Sequence, residues 1–532
     1  MLIKVSRSLF GCSLAAVVLL SSAFGQTVTG SISGQVTDQS GAVIVGASVT
    51  AENVATSVKT TAKSNESGVY TLRFLPIGTY TVTVDANGFT SQKVPPFALE
   101  IDQTVKVDAS LKIGTSSTVV VQGDAAPILN TTDSSLGDTL SASEIASIPL
   151  NGRNFSSLTL FQPGAIDTDP QGTTGNNAIE RDTFNNDIPS INGNRAQANY
   201  YTLEGADLNE PQNNLIAYNP APDAIAEVRV ISANAPATYG NANGGAIITI
   251  LKSGTNHIHG SAYGLLENHN LDANTWSNDH QFPVVPKNIY TQSIFGGTIG
   301  GAIIKNKLFF FGDYEGARKN QGGKATASVL TQAMRNGDFS ALLSQGIQLY
   351  DTQNNFAPYV GDQGLPIVNP VAKYLFAHPN LYPLPNATPT DGLLQNNFQG
   401  GQTSFIKNNQ EDAKLDWTPG NVNKISGFYA QSTARDGSTA LMPVFFPSQN
   451  VYPTKVFGLS WVHTFSSTIV NEARFGFTRV RWDNSIPTDP SGNFGLTGNS
   501  IVGIPFVGKQ LYPGFSGQSL GNNASYIGTS AN

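Results

Sequence analysis

The sequence contains few of the residues that stabilise or operate many secreted proteins. Its one cysteine is Cys12, within an N-terminal segment that we expect to be removed. A mature chain without cysteine has no disulfides, no thiol catalysis and no cysteine metal site. Charged residues make up 13% of the chain, about half of the roughly 25% usual in globular proteins. The net charge is −7, and the basic residues form no stripe along the sequence. Nucleic acid is therefore not an expected partner.

Long apolar runs are confined to the N-terminus. Lys4 and Arg7 precede the apolar segment Leu9–Leu20, and Ala23-Phe24-Gly25 offers small residues for cleavage before Gln26. This pattern predicts a signal peptide over residues 1–25. A membrane anchor is the alternative, but the run is shorter than the ~20 residues of a spanning helix. No later run reaches that length, so a membrane position would require a β-barrel.

The usual signatures of catalysis are missing. None of the six histidines begins an H-x-x-E pair, and the sequence has no G-x-S-x-G elbow and no Walker loop. His257 and His259 would share one face of a strand, but no third ligand is near them in sequence, which favours a junction turn over a metal site. We therefore expect no enzyme, no catalytic residue, no metal and no cofactor.

What is present favours a mainly β chain. Between residues 28 and 113, apolar and polar residues alternate in short segments such as SISGQVTD and GTYTVTVDA, with turn residues between them. This predicts a β-sandwich over residues 26–113. Its G-x-V-x-D-x-x-G and G-x-Y-x-V-x-V patterns resemble the carboxypeptidase-regulatory-like domain, a carbohydrate-binding-like fold. These residues are also those that turns and a core need, and a fold alone does not establish a sugar site.

The next segment, residues 114–256, is predicted to be an α+β plug domain. Ser141 and Glu144 form a capping pattern for a short helix at Leu140–Ile148, and Ile225–Ile231 is a clear strand. Several charged side chains are expected inside a barrel, either as plug–barrel ion pairs and solvated contacts or as a network that loosens when the plug is pulled. They are Arg153, Arg195, Glu204, Asp207, Glu227 and Arg229.

The stretch Tyr239–Asn256 is predicted to join the plug to the barrel. Gly240, Gly244 and Gly245 would allow close backbone approach and left-handed conformations. Ala246–Leu251 is an apolar run typical of a buried strand. Lys252 and Gly254 belong to the turn that follows it.

Residues 257–532 are predicted to contain the first strands of a transmembrane antiparallel β-barrel. Short and long connections alternate between the strands, as they do in outer-membrane barrels. Within the strands, Leu415 and Trp417 would face lipid while Lys414 and Asp416 face the lumen. A soluble β-sandwich is the alternative. The predicted strands are His259–Asn268, Tyr290–Ile303, Leu308–Arg318, Glu411–Trp417, Lys424–Ser432, Thr454–Phe465 and Thr468–Asp483.

These motifs, in this order, resemble TonB-dependent outer-membrane receptors of the Oar-like group. The junction YGNANGGAIITILKSGTN, the plug motif NGRNF and the strand motif LFFFGDYEGAR carry the resemblance. It implies a periplasmic N-terminal domain, extracellular long loops, and energised uptake of an external ligand. It also implies contact with outer-membrane lipid and a TonB-type inner-membrane energy complex as partner. The loop composition suits a sugar or a peptide at least as well as an iron chelate.

A β-branched run after the sandwich is either a TonB box or a plain plug strand. An extended segment of this type can add to the edge of a partner's sheet and transmit a pull. The run consists of Thr118, Val119, Val120, Val121 and Gln122.

About seven predicted strands cannot close a bacterial barrel, which normally has an even number. We therefore expect the chain to be the N-terminal part of a longer protein or a truncated gene product. Two alternatives to transport remain, an adhesion or structural surface protein on the same barrel and a secreted enzyme with a regulatory sandwich.

Overall fold

The protein folds as three consecutive β units with a further layer of packed loops. A computed structural model describes residues 28–114, 119–120, 134–166, 189–211, 214–282, 284, 286–466, 469–505, 510–519 and 526–529. The predicted signal peptide lies outside these residues. Within them, no helix is long and apolar enough to cross a membrane.

The N-terminal unit is a β-sandwich. One sheet has the order β4-β1-β7, with β8 also paired to β1, and the other has the order β3-β2-β5-β6-β9. Alternate residues of the strands point inward and form a core that includes Val36, Val49, Tyr70, Leu72 and Val82. The strands are β1 (Gly30–Asp38), β2 (Ser48–Asn53), β3 (Lys59–Lys63), β4 (Val69–Leu75), β5 (Gly78–Asp85), β6 (Gln92–Leu99), β7 (Thr104–Lys106), β8 (Ala109–Leu111) and β9 (Val119–Val120).

The second unit is the plug, built on a five-stranded sheet of order β10-β15-β16-β13-β14. Strand β16 is buried along its whole length. Helix α1 begins with the predicted capping box, in which Ser141 and Glu144 cap each other's backbone N–H groups. Its elements are β10 (Leu136–Ser141), α1 (Ala142–Ser147), β11 (Ala165–Ile166), β12 (Ser190–Ile191), β13 (Tyr200–Leu203), β14 (Ala206–Asp207), β15 (Ile225–Ala233) and β16 (Ala246–Leu251).

The third unit is an antiparallel sheet with the order β17-β18-β19-β22-β23-β24-β25. An additional short strand, β26, pairs with β24. Short connections join β18 to β19, β22 to β23 and β24 to β25, and long segments follow at the opposite end. The strands of this sheet are β17 (His259–Asn268), β18 (Ile289–Ile304), β19 (Leu308–Ala327), β22 (Phe398–Gly420), β23 (Asn423–Ser438), β24 (Ser448–Thr464), β25 (Val470–Val480) and β26 (Asp483–Pro487).

The two faces of this sheet have the predicted polarity. Leu415, Trp417 and Phe475 are exposed on the outer face, while Asp412 and Lys414 are buried on the inner face. Successive side chains of a strand point to opposite faces, so the alternation in β22 separates a lipid-facing surface from a lumen-facing one.

The long connections pack together into what we call the external layer, residues 328–397, 439–447, 488–505, 510–519 and 526–529. It has its own core, which includes Leu330, Leu375, Val444, Phe494 and Phe515. Its regular elements are α3 (Gln332–Arg335), β20 (Tyr350–Asp351), β21 (Ala357–Pro358), α4 (Pro370–Phe376), α5 (Gly498–Ile501), β27 (Gln518–Ser519) and β28 (Tyr526–Ile527), and α2 (Trp276–Asp279) lies in the separate first connection.

Short 3-10 turns complete the described elements. In the plug they span Asn151–Arg153, Phe155–Phe161, Ala196–Ala198, Pro222–Ala224 and Ala237–Tyr239, and elsewhere His269–Leu271, Ser340–Gln345, Val360–Asp362 and Gly495–Thr497.

Candidate functional site: the plug against the barrel wall

The plug packs directly on the inner face of the barrel sheet. Barrel residues Phe311, Phe428, Ala430 and Val456 belong to the same buried core as the plug. Most inward-facing residues of a plugged barrel are polar, so this small apolar patch gives the plug a defined seat. Around the patch, buried charged side chains join the plug to the wall.

The most enclosed of these contacts pairs Glu204 of the plug with Lys414 of strand β22. Lys414 Nζ lies 2.6 Å from Glu204 Oε1, and both side chains are less than a tenth exposed. Glu204 Oε1 also accepts a hydrogen bond from the Leu251 backbone N–H at 2.8 Å. Lys414 Nζ donates to the Leu251 carbonyl at 3.2 Å. The pair therefore also holds the end of plug strand β16.

A second contact is centred on Arg153. Its Nε donates to Glu315 Oε2 of strand β19 at 2.9 Å, and its Nη2 pairs with Asp223 of the plug. The guanidinium lies 4.4 Å from the centroid of the Tyr263 ring, and the Tyr263 hydroxyl donates to the same Glu315 at 2.8 Å. One arginine thus links the plug to two barrel strands.

Both plug residues that form these pairs have left-handed backbones. Arg153 has φ 58° and Glu204 has φ 51°, and each stands next to a glycine with positive φ. A non-glycine residue in this region costs about 1–3 kcal/mol and persists where its surroundings hold it. Contact with the barrel wall supplies such surroundings.

Two further hydrogen bonds join side chains of the plug to side chains of strand β22. The Tyr218 hydroxyl donates to Asp412 Oδ1 at 2.7 Å in a buried setting. Ser253 Oγ donates to Asp416, which also accepts from Ser426 Oγ at 2.6 Å. Strand β22 therefore presents Asp412, Lys414 and Asp416 to the plug in succession.

The other four predicted network residues lie outside the two ion-paired contacts. Glu227 and Arg229 of β15 face the N-terminal sandwich: Glu227 Oε1 accepts from the Ile101 N–H at 2.7 Å, and Arg229 Nη1 donates to the Ile101 carbonyl at 2.6 Å. Arg195 is exposed. Asp207 caps its own turn through the Asn209 N–H at 2.8 Å, and its carbonyl accepts from Thr478 of β25. The predicted set is therefore divided among the barrel wall, the sandwich and one exposed position.

The junction glycines have different roles. A Cβ at Gly254 would collide with the carbonyl oxygens of Gly301 and Phe310 in the barrel strands, and Gly244 and Gly245 are similarly crowded by Asn199 and Ile191. Gly240 has an ordinary right-handed backbone, and Gly244 and Gly245 also lack a positive φ. The expectation of left-handed conformations at these three glycines is wrong, and close approach explains two of them.

Lys252 lies between the plug strand and this crowded glycine. Burial lowers the pKa of its ammonium group, and the carboxylates of Asp223 and Asp313 oppose that shift. It therefore adds a partly buried positive charge beside the Arg153 cluster.

The predicted TonB-box segment is described in part. Val119 and Val120 form β9 and pair in parallel with Gln92 and Lys93 of β6 in the sandwich. Thr118, Val121 and Gln122 lie outside the described residues.

Sequence reasoning named Arg153 and Glu204 but not their partners. Lys414 and Asp416 are predicted to face the lumen, whereas the sequence singles out neither Glu315 nor Tyr263. These partner residues share an inward-facing position next to the plug. That position can be recognised only after the register of the sheet is known. Among the described residues, no group of three or more metal-ligating side chains is found.

Comparisons with known proteins agree with this architecture. Residues 250–532 match the family described as "Outer membrane beta barrel domain", and residues 31–112 match the "Carboxypeptidase regulatory-like domain". The chain is 26% identical over 317 residues to the TonB-dependent transporter Oar of Myxococcus xanthus, which covers 57% of this chain and 28% of that protein.

Two solved structures are similar at lower identity. The outer membrane transporter YddB from Escherichia coli is 10% identical with a TM-score of 0.39, over 65% of this chain and 39% of that one. A mutant of the ferric enterobactin receptor PfeA from Pseudomonas aeruginosa is 11% identical with a TM-score of 0.36, over 65% of this chain and 40% of that one. The chain spans well under half the length of these relatives.

Proposed function

The chain belongs to the outer membrane beta barrel domain family, and from that premise we propose that it acts in TonB-dependent uptake of an external ligand. The profile matches confirm the expected barrel, the regulatory-like N-terminal domain and the outer-membrane location. The relative Oar is a TonB-dependent transporter, which supports a role in transport rather than catalysis.

The observation that carries the proposal is the ionic seat of the plug. Replacing a buried ion pair by apolar residues is often neutral or stabilising, so Lys414–Glu204 and Arg153–Glu315 are poor choices if the plug only had to stay in place. Hydrogen-bonded ion pairs have a defined geometry that can separate and form again. This suits a plug that shifts in the lumen and returns.

The proposed cycle begins with a ligand bound from outside, at the external layer and the plug surface below it. A TonB-type complex in the inner membrane then pulls on the segment Thr118–Gln122, and the plug leaves its seat. The loops are rich in Asn, Gln, Tyr and Phe, a composition that supports a sugar or a peptide as the ligand.

Uptake with and without the segment tests this cycle. Cells carrying the full chain, or the chain with Thr118–Gln122 deleted, are supplied with a panel of radiolabelled oligosaccharides and peptides. We expect the deletion to abolish uptake of the substrate that the intact chain transports, while the amount of protein in the outer membrane stays the same. Unchanged uptake would contradict energised transport through this segment.

A second candidate function is adhesion, and the external layer favours it. A connection with its own core, including Leu375 and Phe494, forms a fixed surface, whereas a mobile loop would have none. Deleting residues 336–390 tests this role, because an adhesin would lose cell attachment while uptake of the same substrates stayed unchanged.

A further inference from the structure

The N-terminal sandwich shares a hydrophobic core with the plug. Ile101, in the turn between β6 and β7, is fully buried in a cluster whose other buried residues belong to the plug. That cluster includes Tyr200, Ile231, Tyr239 and Ile248.

The same residue is held at both of its backbone polar groups. Its N–H donates to Glu227 at 2.7 Å and its carbonyl accepts from Arg229 at 2.6 Å. Glu227 and Arg229 are two residues apart on β15 and lie on the same face of that strand. Arg229 also donates to Ser135 Oγ at 3.1 Å. This clamp joins the sandwich to a central strand of the plug sheet.

The sandwich also reaches the barrel, at the end that carries the short connections. The Asn256 N–H donates to the Ala55 carbonyl at 3.1 Å, and Asn256 Nδ2 donates to the Thr56 carbonyl at 2.8 Å. Asn256 Nδ2 lies 2.6 Å from Asn306 Oδ1 in the short turn after β18. Lys424 Nζ donates to the Phe74 carbonyl at 3.1 Å. The plug, junction and wall therefore all hold the sandwich.

A cavity of about 520 Å³ lies where the three units meet. The sandwich contributes Phe74 and Tyr80, the plug contributes Glu204 and Ile250, and the barrel contributes residues such as Lys414. The wall side of the Glu204–Lys414 pair thus opens toward a space that the sandwich covers.

We infer that the N-terminal sandwich is a gate over the inner end of the lumen, which must detach before the plug can leave its seat. The inference rests on the proposed transport function. Movement of β15 away from the sandwich would break both bonds to Ile101. Movement of β16 would break the contacts of Leu251 with Glu204 and Lys414. Because β15 and β16 are neighbours in the plug sheet, release of the sandwich and release of the plug are coupled.

Cysteine labelling tests the gate in the full chain, whose only natural cysteine is Cys12. Ile101→Cys keeps the backbone groups that the clamp uses, and its thiol is buried only while the sandwich is docked. Leu99→Cys is the matched control, because Leu99 is buried in the core of the sandwich itself. Val45→Cys, at an exposed position, reports that the reagent has reached the periplasm.

The probe is a small biotin maleimide applied to respiring cells and to cells treated with a protonophore. We expect labelling of Ile101→Cys to rise at least tenfold in respiring cells, while Leu99→Cys stays protected. Adding Arg229→Ala should raise the labelling of Ile101→Cys without respiration. Equal protection of Ile101→Cys in both conditions, with Val45→Cys labelled, overturns the gate.

Deleting Thr118–Gln122 in the Ile101→Cys chain separates the gate from the transport proposal. If the rise in Ile101→Cys labelling disappears with the deletion, the result supports both the gate and the transport proposal. A rise that survives it supports the gate and contradicts the proposed role of the segment. If uptake requires the segment but Ile101→Cys never becomes labelled, the gate alone is wrong.

Discussion

At the scale of single residues, the contact between Glu204 and Lys414 decides how firmly the plug is seated. Removing one partner of a buried pair costs more than the pair contributes, because the other charge is left buried. We expect Lys414→Ala to destabilise the folded chain by about 3–5 kcal/mol. Urea unfolding of the detergent-solubilised protein, followed by tryptophan fluorescence, measures this change.

The double variant Lys414→Met with Glu204→Gln is the matched test, since it removes both charges and should recover most of the loss. Lys455→Ala, at an exposed site on β24, should change stability by less than about 0.5 kcal/mol. A loss at Lys414 no larger than this control would contradict the buried-pair interpretation.

Glu227 makes the docking of the sandwich dependent on pH. Burial, with a smaller contribution from the Glu100 carboxylate, raises the pKa of its carboxyl group from 4.5 to about 7, although the Ile101 N–H and Arg229 favour the charged form. Between pH 4.5 and pH 7, Glu227 is protonated while the sandwich is docked and ionised once the sandwich is released. Docking is therefore strongest below pH 4.5, weakens as pH rises toward 7 and is constant above it.

We expect the Ile101 amide to exchange hydrogen faster at pH 8 than at pH 5, by about tenfold or more relative to Glu227→Gln at the same pH. Comparing the two proteins at each pH removes the chemical pH dependence of exchange. A constant ratio between pH 5 and pH 8 would show that Glu227 does not titrate in this range.

The limits of sequence reasoning at this scale are visible in the charged residues of the plug. Arg153 and Glu204 were predicted to lie inside the barrel, and their partners come from strands far away in sequence. Glu227 and Arg229 are charged and stand two residues apart on a strand, as lumen-facing residues do. They nevertheless bind the backbone of Ile101. The local sequence does not predict which residue a buried charged side chain will contact.

At the scale of elements, Gly254 sets how closely the plug junction crosses the barrel. A methyl group there would collide with backbone oxygens of Gly301 and Phe310, which cannot move aside as a flexible side chain would. We expect Gly254→Ala to reduce the amount of folded protein in the outer membrane severalfold. Gly240→Ala is the control, because the nearest atom to its added Cβ lies at 3.7 Å. Equal amounts of both variants, measured by heat-modifiable gel mobility, would contradict the crowding argument.

Arg335 holds the external layer together. It is buried and donates to the carbonyls of Leu330 at 3.0 Å and Tyr382 at 2.8 Å. Its guanidinium lies 4.5 Å from the centroid of the Tyr382 ring. Lysine lacks this fork of donors, so Arg335→Lys should destabilise the layer by about 1–3 kcal/mol.

Limited proteolysis of intact cells measures that effect, since the layer faces outward. Arg335→Lys should be cleaved within residues 336–390 at least tenfold faster than the parent chain. Lys373→Ala, at an exposed position of α4, should be cleaved at the parent rate. Equal rates for all three proteins would show that Arg335 does not hold the layer.

Strands that the sequence did not predict have physical reasons. Strand β6 contains Pro95 and Pro96, which usually exclude a central strand, but its pairing with β5 shifts register between Tyr80 and Val82 so that both prolines fall in the irregularity. Strand β3 is short and largely exposed, so it shows no apolar periodicity. Strands β7 and β8 have three residues each and pair with different parts of β1.

At the scale of the whole molecule, the sequence predicted the order and kind of the units. Strand β17 has the predicted bounds, His259–Asn268, and β16 is the predicted run Ala246–Leu251. Strand β22 was predicted only at Glu411–Trp417, whereas it spans Phe398–Gly420. The part of β22 beyond the membrane has water on both faces. No lipid-facing surface there requires apolar and polar residues to alternate, so that part of the strand has no sequence pattern to recognise.

The core of the external layer was missed for a related reason. Its apolar residues are scattered over three connections, and Leu375, Val444 and Phe515 meet only after the strands have aligned those connections. Only this long-range packing shows that the connections are folded.

The lengths of β19 and β22 determine what meets the cell's surroundings first. The 23 residues of β22 extend over roughly 75 Å at about 3.3 Å per residue, whereas the hydrocarbon core is about 30 Å thick. Even with the usual tilt, much of the strand projects beyond the lipid and raises the external layer on a rigid wall. An antibody or a bacteriophage approaching the bacterium would therefore touch this layer well before it reached the membrane.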